Sequence, residues 1–437
     1  MTIERLAFGC LIVLGLTFGL GDLGQANPFS ATLRETVRAL LPLSVALALV
    51  AMVIARRRDH VPHAVALPAG VWLILLAASA AWAPVNRADA FAALSRPVGG
   101  VLLGWAVFAL ATTPARWRAL ARAFTLGGLF VALVGLVEAS GLSQITSGLA
   151  ALHDGATPVG DVPRIAATLS HPNVAAIVLE LTLPFLIAWA WTASSPRGRT
   201  VVIVAAACVL VALVLTFSRA GIIGALVGLA VLFAFGGQRR VLLPLLALTV
   251  IGAALAWAAV ADPGLDRRLA AGLDESSPVQ PARTQFWWVA LEMQRDHPWL
   301  GVGLDNYRWQ FASYSGIASN NLGIHAHNQY LEALADSGLL GLVAFAWLLG
   351  ALVRHAWQAA LVSRLAPPDW PWRATVVAAL ASWLVHALVD DFERFWPASV
   401  AFWLICGLSW RVFETQTALG GQQTLGRVDS TGLVVSG

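Results

Sequence analysis

Long apolar stretches, each separated from the next by a polar segment, recur along almost the whole chain. An α-helix needs about 20 such residues to cross a hydrocarbon core of about 30 Å, and about twelve stretches approach that length. They lie near residues 5–21, 37–55, 64–82, 97–113, 118–138, 172–193, 200–217, 220–235, 241–261, 337–353, 374–390 and 396–413. The pattern therefore predicts an all-α polytopic membrane protein with about 12 transmembrane helices.

The composition supports this prediction. Of the 437 residues, 58% are hydrophobic and only 12% are charged, whereas soluble domains carry about 25% charged residues. A soluble enzyme and a secreted disulfide scaffold are therefore excluded. Cys10, Cys208 and Cys406 all lie in apolar stretches without metal-ligand spacing, so we expect small packed side chains rather than a zinc site or disulfides.

The distribution of arginines predicts the orientation. An even number of spans places both termini on one side, and cytoplasmic termini put most arginines, including Arg56 to Arg58, in the inner loops. Most acidic residues then fall outside, in agreement with the positive-inside rule. The arginines of the inner loops account for the net charge of +4. Because the basic residues form no continuous stripe, we expect no nucleic-acid partner.

Two predicted outer loops, near residues 139–171 and 262–336, are much longer than the usual connection of about four to six residues. The second contains all three tyrosines and many other aromatic residues. Such a composition predicts short amphipathic helices at the outer membrane interface. The aromatic rings are equally consistent with stacking on sugars and with simple anchoring at the membrane.

The hydropathy pattern thus divides the chain into four parts. They are residues 1–261 with transmembrane helices 1–9, residues 262–336 as the large periplasmic loop, residues 337–414 with transmembrane helices 10–12, and residues 415–437 as a polar, disordered cytoplasmic tail.

The densest polar cluster lies at the end of the large loop and leads into an apolar helix. A histidine that is neutral near pH 7, such as His327, is suited to remove the proton of a sugar hydroxyl. An interface or helix-capping histidine is the alternative. His325 and His327 have no obvious third metal ligand nearby, so we predict no metal. Asn328 is also a good N-cap for the following helix.

Arginines on the same side of the membrane are candidate phosphate ligands. Arg219 stands between the seventh and eighth spans with almost no loop, and an unpaired arginine at such a position is costly and usually functional. Snorkelling at a helix end is the alternative. Arg164 lies near Asp161, and a surface ion pair would also explain it. Arg283 lies within the large loop.

An acidic group, Asp390, Asp391 and Glu393, follows the eleventh span. Clustered carboxylates can bind a divalent ion. Arg394 stands beside them, which favours an ion pair with an arginine or a solvated helix end.

Several short elements together resemble the O-antigen ligase and polymerase superfamily. His327-Asn328 is followed after nine residues by Gly338 and after two more by Gly341, the spacing found at the end of the large periplasmic loop of the ligases. The other similar elements are Arg164 ahead of Ser170-His171-Pro172-Asn173, Ser218-Arg219-Ala-Gly221, Arg283 ahead of Phe286-Trp287, and Asp296-His-Pro298-Trp-Leu-Gly301-Val-Gly303.

The resemblance implies transfer of a glycan from undecaprenyl pyrophosphate to an acceptor hydroxyl at the periplasmic face of the bacterial inner membrane, without cofactor or metal. In ligases the acceptor is a sugar of lipid A-core. Carried over by motif are His327 as base or acceptor-orienting group and Arg219 and Arg283 as pyrophosphate ligands. We expect Arg164 to assist the two arginines. The expected supporting groups are His325, Asn328 and Asp391. Arginine suits the second role because its planar fork binds phosphate oxygens and keeps its proton.

Three alternatives stay open on sequence alone. A polymerase would join one repeat unit to another, and a protein O-oligosaccharyltransferase would use a serine or threonine hydroxyl. These enzymes differ from a ligase only in the acceptor. A twelve-helix transporter has the right number of helices, but the long late loop has no counterpart in the first half of the chain.

Overall fold

The computed structural model describes residues 3–23, 28–55, 61–142, 164–236, 283–317, 324–363 and 370–425. Within these ranges the regular structure is entirely helical. The α-helices are α1 (Ile3–Thr17), α2 (Pro28–Ile54), α3 (His63–Trp82), α4 (Arg87–Ala93), α5 (Ser95–Leu110), α6 (Pro114–Ala139), α7 (Pro172–Trp191), α8 (Pro196–Leu215), α9 (Arg219–Gly236), α10 (Arg283–Asp296), α11 (Tyr307–Ser315), α12 (Gln329–Ser363), α13 (Trp370–His386) and α14 (Trp396–Leu425).

These helices confirm the all-α polytopic membrane fold. In the described part of the chain, 8 helical segments are long and apolar enough to cross a membrane. Every predicted apolar stretch coincides with a helix, except the stretch near residues 241–261, which lies outside the described residues. The short helices α10 and α11 occur in the long loop, as its aromatic composition predicts.

Helices α7 and α13 form the centre of the bundle. In the most apolar 18-residue stretch of α7, 89% of the residues are buried. Most residues of α13 are buried as well. Helices that are apolar on every side are typically enclosed by other helices. Helix α13 packs against α7, α9, α12 and α14. The polar residues that flank these two central helices are therefore held by the whole bundle.

A buried ionisable pair joins the two central helices. Glu180 Oε2 of α7 lies 2.9 Å from His386 Nδ1 of α13, and both side chains are 0% exposed. Helix α9 covers the carboxylate closely, since a Cβ at Gly224 would lie 2.7 Å from Glu180 Oε2. Ionisable groups at such depth are costly unless they are paired.

A loop segment inserts into a break in α12. Gly338 has φ 67° and ψ −171°, which interrupts the helix, and a Cβ there would lie 2.3 Å from the backbone of Trp299. Leu339 N donates to Pro298 O (2.9 Å), and Val302 N donates to Ala335 O (2.9 Å). The Pro-x-x-Gly-x-Gly segment and Gly338 thus satisfy each other's backbone groups, as a helix break inside a membrane protein requires.

Several helix bounds differ from the sequence prediction. Helix α2 begins at Pro28 rather than near residue 37, and α12 ends at Ser363 rather than near residue 353. Two further differences concern the predicted loop and tail. Helix α12 begins at Gln329 rather than near residue 337, because the polar side chains of its first turns bind backbone N–H groups: Glu332 Oε2 accepts from Ala326 N, and Asp336 accepts from Asp305 N. Helix α14 continues to Leu425, past the predicted start of the tail at residue 415. Helix-compatible Glu, Gln, Ala and Leu residues near that point permit the extension.

Candidate active site

Polar residues from five helix ends meet at one end of the bundle, called the site end below. Four of the ends are the starts of α7, α9, α10 and α12, and the fifth is the segment after α13. Helix starts expose N–H groups and carry partial positive charge, which favours anions. The side chains described next connect these ends to one another.

A chain of hydrogen bonds runs from an arginine to a histidine. Arg164 Nη2 donates to Asn173 Oδ1 (2.8 Å), and Asn173 Nδ2 donates to Asp390 Oδ2 (2.6 Å). Asp390 Oδ1 lies 3.3 Å from His327 Nδ1 and 3.5 Å from His325 Nε2. The orientation of the Asn173 amide follows from its neighbours, because a guanidinium only donates and a carboxylate only accepts.

His327 is held so that one ring nitrogen faces the carboxylate. Its backbone has φ 48°, and its ring centroid lies 5.4 Å from that of Phe286 and 4.0 Å from that of His325. Burial lowers the pKa of His327, although the hydrogen bond to Asp390 acts in the opposite direction. With Nδ1 directed at Asp390, we assign the proton to Nδ1, which leaves Nε2 as a proton acceptor.

Asp390 remains a carboxylate. Burial alone raises its pKa. The hydrogen bonds with His325 and His327, and the charge of each ring when it is protonated, outweigh burial and hold the pKa of Asp390 well below its ordinary value. The Asp391 backbone N–H donates to the same Oδ1 (3.0 Å). A charged Asp390 can orient the His327 ring and stabilise its protonated form.

Three arginines surround this pair. Arg219 and Arg283 are exposed first residues of α9 and α10, and Arg164 is half-buried and donates from Nε to Thr216 O (2.7 Å). Burial lowers the pKa of Arg164, and so do the charges of Arg283 and Arg219, while Asp390 raises it. Among the described residues no carboxylate lies within ion-pair distance of Arg219 or Arg283. Such a concentration of positive charge is typical of an anion site.

Two predicted residues have other contacts. Asn328 Oδ1 accepts from the N–H groups of Tyr330 and Leu331, each at 3.0 Å, so Asn328 caps α12. Asp391 Oδ1 accepts from Glu393 N (3.3 Å). The structure places Asp390, and not Asp391, beside the histidines. The partner considered for Arg164, Asp161, lies outside the described residues.

Sequence reasoning did not assign roles to His171 and Asn173. His171 Nδ1 accepts from Asn173 N (3.1 Å) and caps α7, and burial lowers the pKa of His171 to about 4. The available signal was Pro172, because proline is favoured at the first position of a helix. Asn173 is only 8% exposed, and its partner Asp390 comes from a distant part of the sequence.

The histidine cluster also has the composition of a metal site. One ligand atom from each of His325, His327 and Asp390 lies within 4.8 Å of the other two. Asp390 therefore supplies the third ligand that the local sequence lacks, and the donor set suits zinc. Both Asp390 oxygens already accept hydrogen bonds from protein N–H groups, which supports the alternative that the carboxylate serves the histidine ring.

The remaining acidic residues lie on the other side of the segment after α13. Arg394 lies 3.6 Å from Asp305, which also pairs with Arg96 (2.9 Å) and Arg308 (2.7 Å). Burial and the charge of Asp391 raise the pKa of Glu393 to about 8. The arginine ion pairs here belong to Asp305, and the ion pairs of the described residues include none for Asp391 or Glu393.

Known proteins share sequence with part of this chain. Residues 203–346 match a family model described as O-antigen ligase. Over 138 residues the chain is 29% identical to the exopolysaccharide production protein ExoQ of Rhizobium meliloti (strain 1021), which covers 30% of this chain and 31% of that protein. The match thus spans about a third of that curated relative. Arg219, Arg283 and His327 lie within the family match, and Asn173 and Asp390 lie outside it.

Proposed function

We propose that this chain, which is similar to the O-antigen ligase family over residues 203–346 and to the exopolysaccharide production protein of Rhizobium meliloti, is an O-antigen ligase of the bacterial inner membrane. In this proposal it transfers a glycan from undecaprenyl pyrophosphate to a sugar hydroxyl of lipid A-core. The observation that carries the proposal is the convergence of three arginines with the paired His327 and Asp390 at one end of a membrane-embedded bundle.

The arginines suit a pyrophosphate leaving group. Pyrophosphate needs neutralisation of its negative charge more than it needs an acid. Arg219 and Arg283 are exposed, and Arg164 is anchored to Thr216 and Asn173. A bound anion would relieve the mutual repulsion of the three guanidinium groups. We therefore assign them to the donor, with Arg219 and Arg283 as the direct ligands and Arg164 as a fixed third charge.

His327 suits activation of the acceptor. Its lowered pKa keeps the ring neutral at pH 7, and its Nε2 is the nitrogen turned away from Asp390 in the assigned tautomer. As the acceptor oxygen attacks the anomeric carbon, its proton passes to His327 Nε2. Asp390 then stabilises the charged ring through Nδ1.

The step is balanced without a cofactor. The new bond joins the acceptor oxygen to the anomeric carbon, the bond to the pyrophosphate oxygen breaks, and undecaprenyl pyrophosphate leaves with the electron pair. Direct displacement inverts the anomeric carbon. The proton on His327 is released to water before the next cycle. The arginines stabilise the charge that develops on the leaving oxygen.

The proposed orientation places the site end at the periplasmic face and both termini in the cytoplasm. The positive-inside distribution of arginines supports this orientation. His171, Asn173, His325, His327 and Asp390 all lie at the site end, which is where an externally delivered lipid-linked glycan would arrive.

A polymerase is the second candidate. The relative from Rhizobium meliloti is described as an exopolysaccharide production protein, which favours a reaction that joins one glycan to another. The same chemistry serves both enzymes, because only the source of the attacking hydroxyl differs. A protein O-oligosaccharyltransferase would again change only the acceptor.

A purified transfer assay separates these candidates. Labelled glycan on undecaprenyl pyrophosphate is offered with lipid A-core, with a second lipid-linked glycan, or with an acceptor protein. The proposal predicts label on lipid A-core. Label only on the second glycan identifies a polymerase, label only on protein identifies a protein glycosyltransferase, and no binding of donor contradicts the whole family of reactions and favours a transporter.

A further inference from the structure

A groove separate from the arginine and histidine site lies between α2, α5 and α14. Its volume is about 300 Å³. Leu41 of α2, Leu103 of α5 and Trp403 of α14 form its apolar walls, and Gly99 leaves it open on the α5 side. We call this space the outer groove.

Arginines line one end of the outer groove. They are Arg38, Arg96 and Arg394. Arg96 pairs with Asp305 and Arg38 lies 4.0 Å from Asp22, yet the Arg96 side chain remains 36% exposed and the Arg38 side chain 35%. Glu393 is the acidic residue of the lining, and burial and Asp391 raise its pKa to about 8. At neutral pH the groove therefore combines a positive end with an apolar body.

The positive end lies directly behind the histidine segment. Arg394 Nη1 donates to Ile324 O (3.2 Å), the residue before His325. A second cavity of about 60 Å³ is lined by the same Arg96, Glu393 and Arg394 and extends to Gln329. Gln329 begins α12 two residues after His327. The outer groove and the candidate active site are thus on opposite sides of the segment 390–394.

We propose that the outer groove binds the phosphate-bearing lipid anchor of the acceptor substrate. This proposal rests on the proposed glycosyl transfer. An anchor that has an anionic phosphate and an apolar chain matches both ends of the groove. The donor pyrophosphate is assigned to Arg219 and Arg283, so a second lipid needs its own site. The second cavity shares Arg96, Glu393 and Arg394 with the groove and reaches Gln329, two residues from His327. A lipid-anchored acceptor, rather than a protein acceptor, follows from this arrangement.

A steric variant can close the groove without disturbing the bundle. A Cβ at Gly99 would lie 3.7 Å from Leu41 Cδ2, which is an ordinary contact, so Gly99→Leu places its side chain in the groove. The matched control is Gly350→Leu on α12, because Gly350 is exposed and a Cβ there meets nothing within 4 Å. Arg38→Gln is a second variant that removes charge but keeps length and polarity.

The first readout is the number of bound phosphorylated lipids. The full chain in phosphatidylcholine nanodiscs is titrated with undecaprenyl phosphate and lipid A together, and bound lipid is counted by native mass spectrometry. We expect two molecules per chain for the wild type and Gly350→Leu, and one for Gly99→Leu. Arg219→Ala should lose the other molecule. Arg38→Gln should weaken the groove site by about tenfold, as expected for one lost charge-assisted contact.

The second readout is the transfer assay with lipid A-core and with lipid-linked glycan as separate acceptors. Gly99→Leu should raise KM for the accepted lipid by about tenfold or more and leave donor binding unchanged. The acceptor whose KM rises, lipid A-core or lipid-linked glycan, is the lipid whose phosphate occupies the groove. One bound lipid in the wild type, or equal binding by Gly99→Leu and Gly350→Leu, overturns the site. If phosphatidylglycerol displaces the lipid in the groove as readily as the acceptor lipid does, the groove is a general phospholipid site and the acceptor assignment is overturned.

Failure of the glycosyl-transfer proposal gives a different pattern. Two bound lipids without transfer to any acceptor would leave the groove as a lipid site and remove its role as acceptor site. Transfer that stays normal in Gly99→Leu would keep the enzyme and reject the groove.

Discussion

Two histidine–carboxylate pairs with the same chemistry lie at different depths of this bundle. His386 Nδ1 is 2.9 Å from Glu180 Oε2, and both side chains are 0% exposed. His327 Nδ1 is 3.3 Å from Asp390 Oδ1, and the His327 side chain is 29% exposed. Only the second pair can exchange a proton with a substrate.

The surroundings of the two pairs explain the difference. The inner pair is enclosed by α7, α9 and α13, and the ring of Phe392 contacts His386 edge-on with centroids 4.6 Å apart. The outer pair lies among arginines whose charges favour an anionic ligand. A paired histidine therefore stabilises helix packing inside the bundle and becomes a candidate base where substrate can reach its free nitrogen.

The largest expected effect is on the outer pair. His327→Ala should lower turnover by about a thousandfold, within the range typical of a lost general base, while donor binding stays nearly unchanged. The control is His63→Ala, because His63 is exposed and is the first residue of α3, outside the candidate active site. Turnover of His327→Ala equal to that of the control would remove His327 from the reaction.

The inner pair should respond in stability instead. Glu180→Leu leaves a buried histidine without its carboxylate and should lower the free energy of unfolding by about 3–5 kcal/mol. The double variant Glu180→Leu/His386→Leu should recover part of this loss. Denaturation in detergent measures both. A stable single variant that has lost turnover would place the inner pair in the reaction and erase the distinction.

Removal of an arginine should affect donor binding and turnover together. We expect Arg219→Ala and Arg283→Ala each to lower kcat/KM by about a hundredfold, and lysine should restore only part of the activity because it lacks the planar fork. Arg295→Ala is a matched control on α10, since that side chain is 72% exposed. An unchanged affinity for donor in both site variants would contradict the pyrophosphate assignment.

The bridge through Asn173 should have a smaller effect. Asn173→Ala removes the link between Arg164 and Asp390 and should lower kcat by about tenfold, as for the loss of one or two buried hydrogen bonds. Asn173→Asp should be worse, because it places a second carboxylate against Asp390. A steady-state comparison of kcat and KM tests this, and a change in KM alone would assign Asn173 to binding.

Chelation is expected to have no effect. If Asp390 serves the His327 ring, EDTA should leave turnover unchanged. If EDTA abolishes turnover, and Zn²⁺ restores it in the wild type but not in His325→Ala, then His325, His327 and Asp390 form a metal site.

The hydropathy pattern predicts where the helices lie, but it does not predict how the segments between them fold. The apolar stretches predict the helices because a membrane span has a fixed length. The start of α12 was placed too late, since Glu332 and Asp336 look like loop residues in a hydropathy pattern. Their carboxylates bind backbone N–H groups in the structure, a contact that depends on the tertiary fold.

The site residues show the same limit. The resemblance to the ligase family indicated Arg164, Arg219, Arg283 and His327, and only Arg219 was also singled out by its place between two apolar spans. Asp390 could not be separated from Asp391 by sequence, since both lie in the non-helical segment after α13, where tertiary contacts decide the direction of each side chain. The link through Asn173 joins Arg164, nine residues before it, to the distant Asp390, and no local pattern predicts the second contact.

The central claim, that His327 is a neutral base oriented by Asp390, is tested most directly by the dependence of kcat on pH. Burial lowers the pKa of His327, so kcat should fall at low pH with a midpoint below the ordinary histidine value of about 6.5, because protonation removes the base. The residual activity of His327→Ala should lack this decrease. A decrease that begins above pH 7, or one that persists in His327→Ala, would contradict the claim.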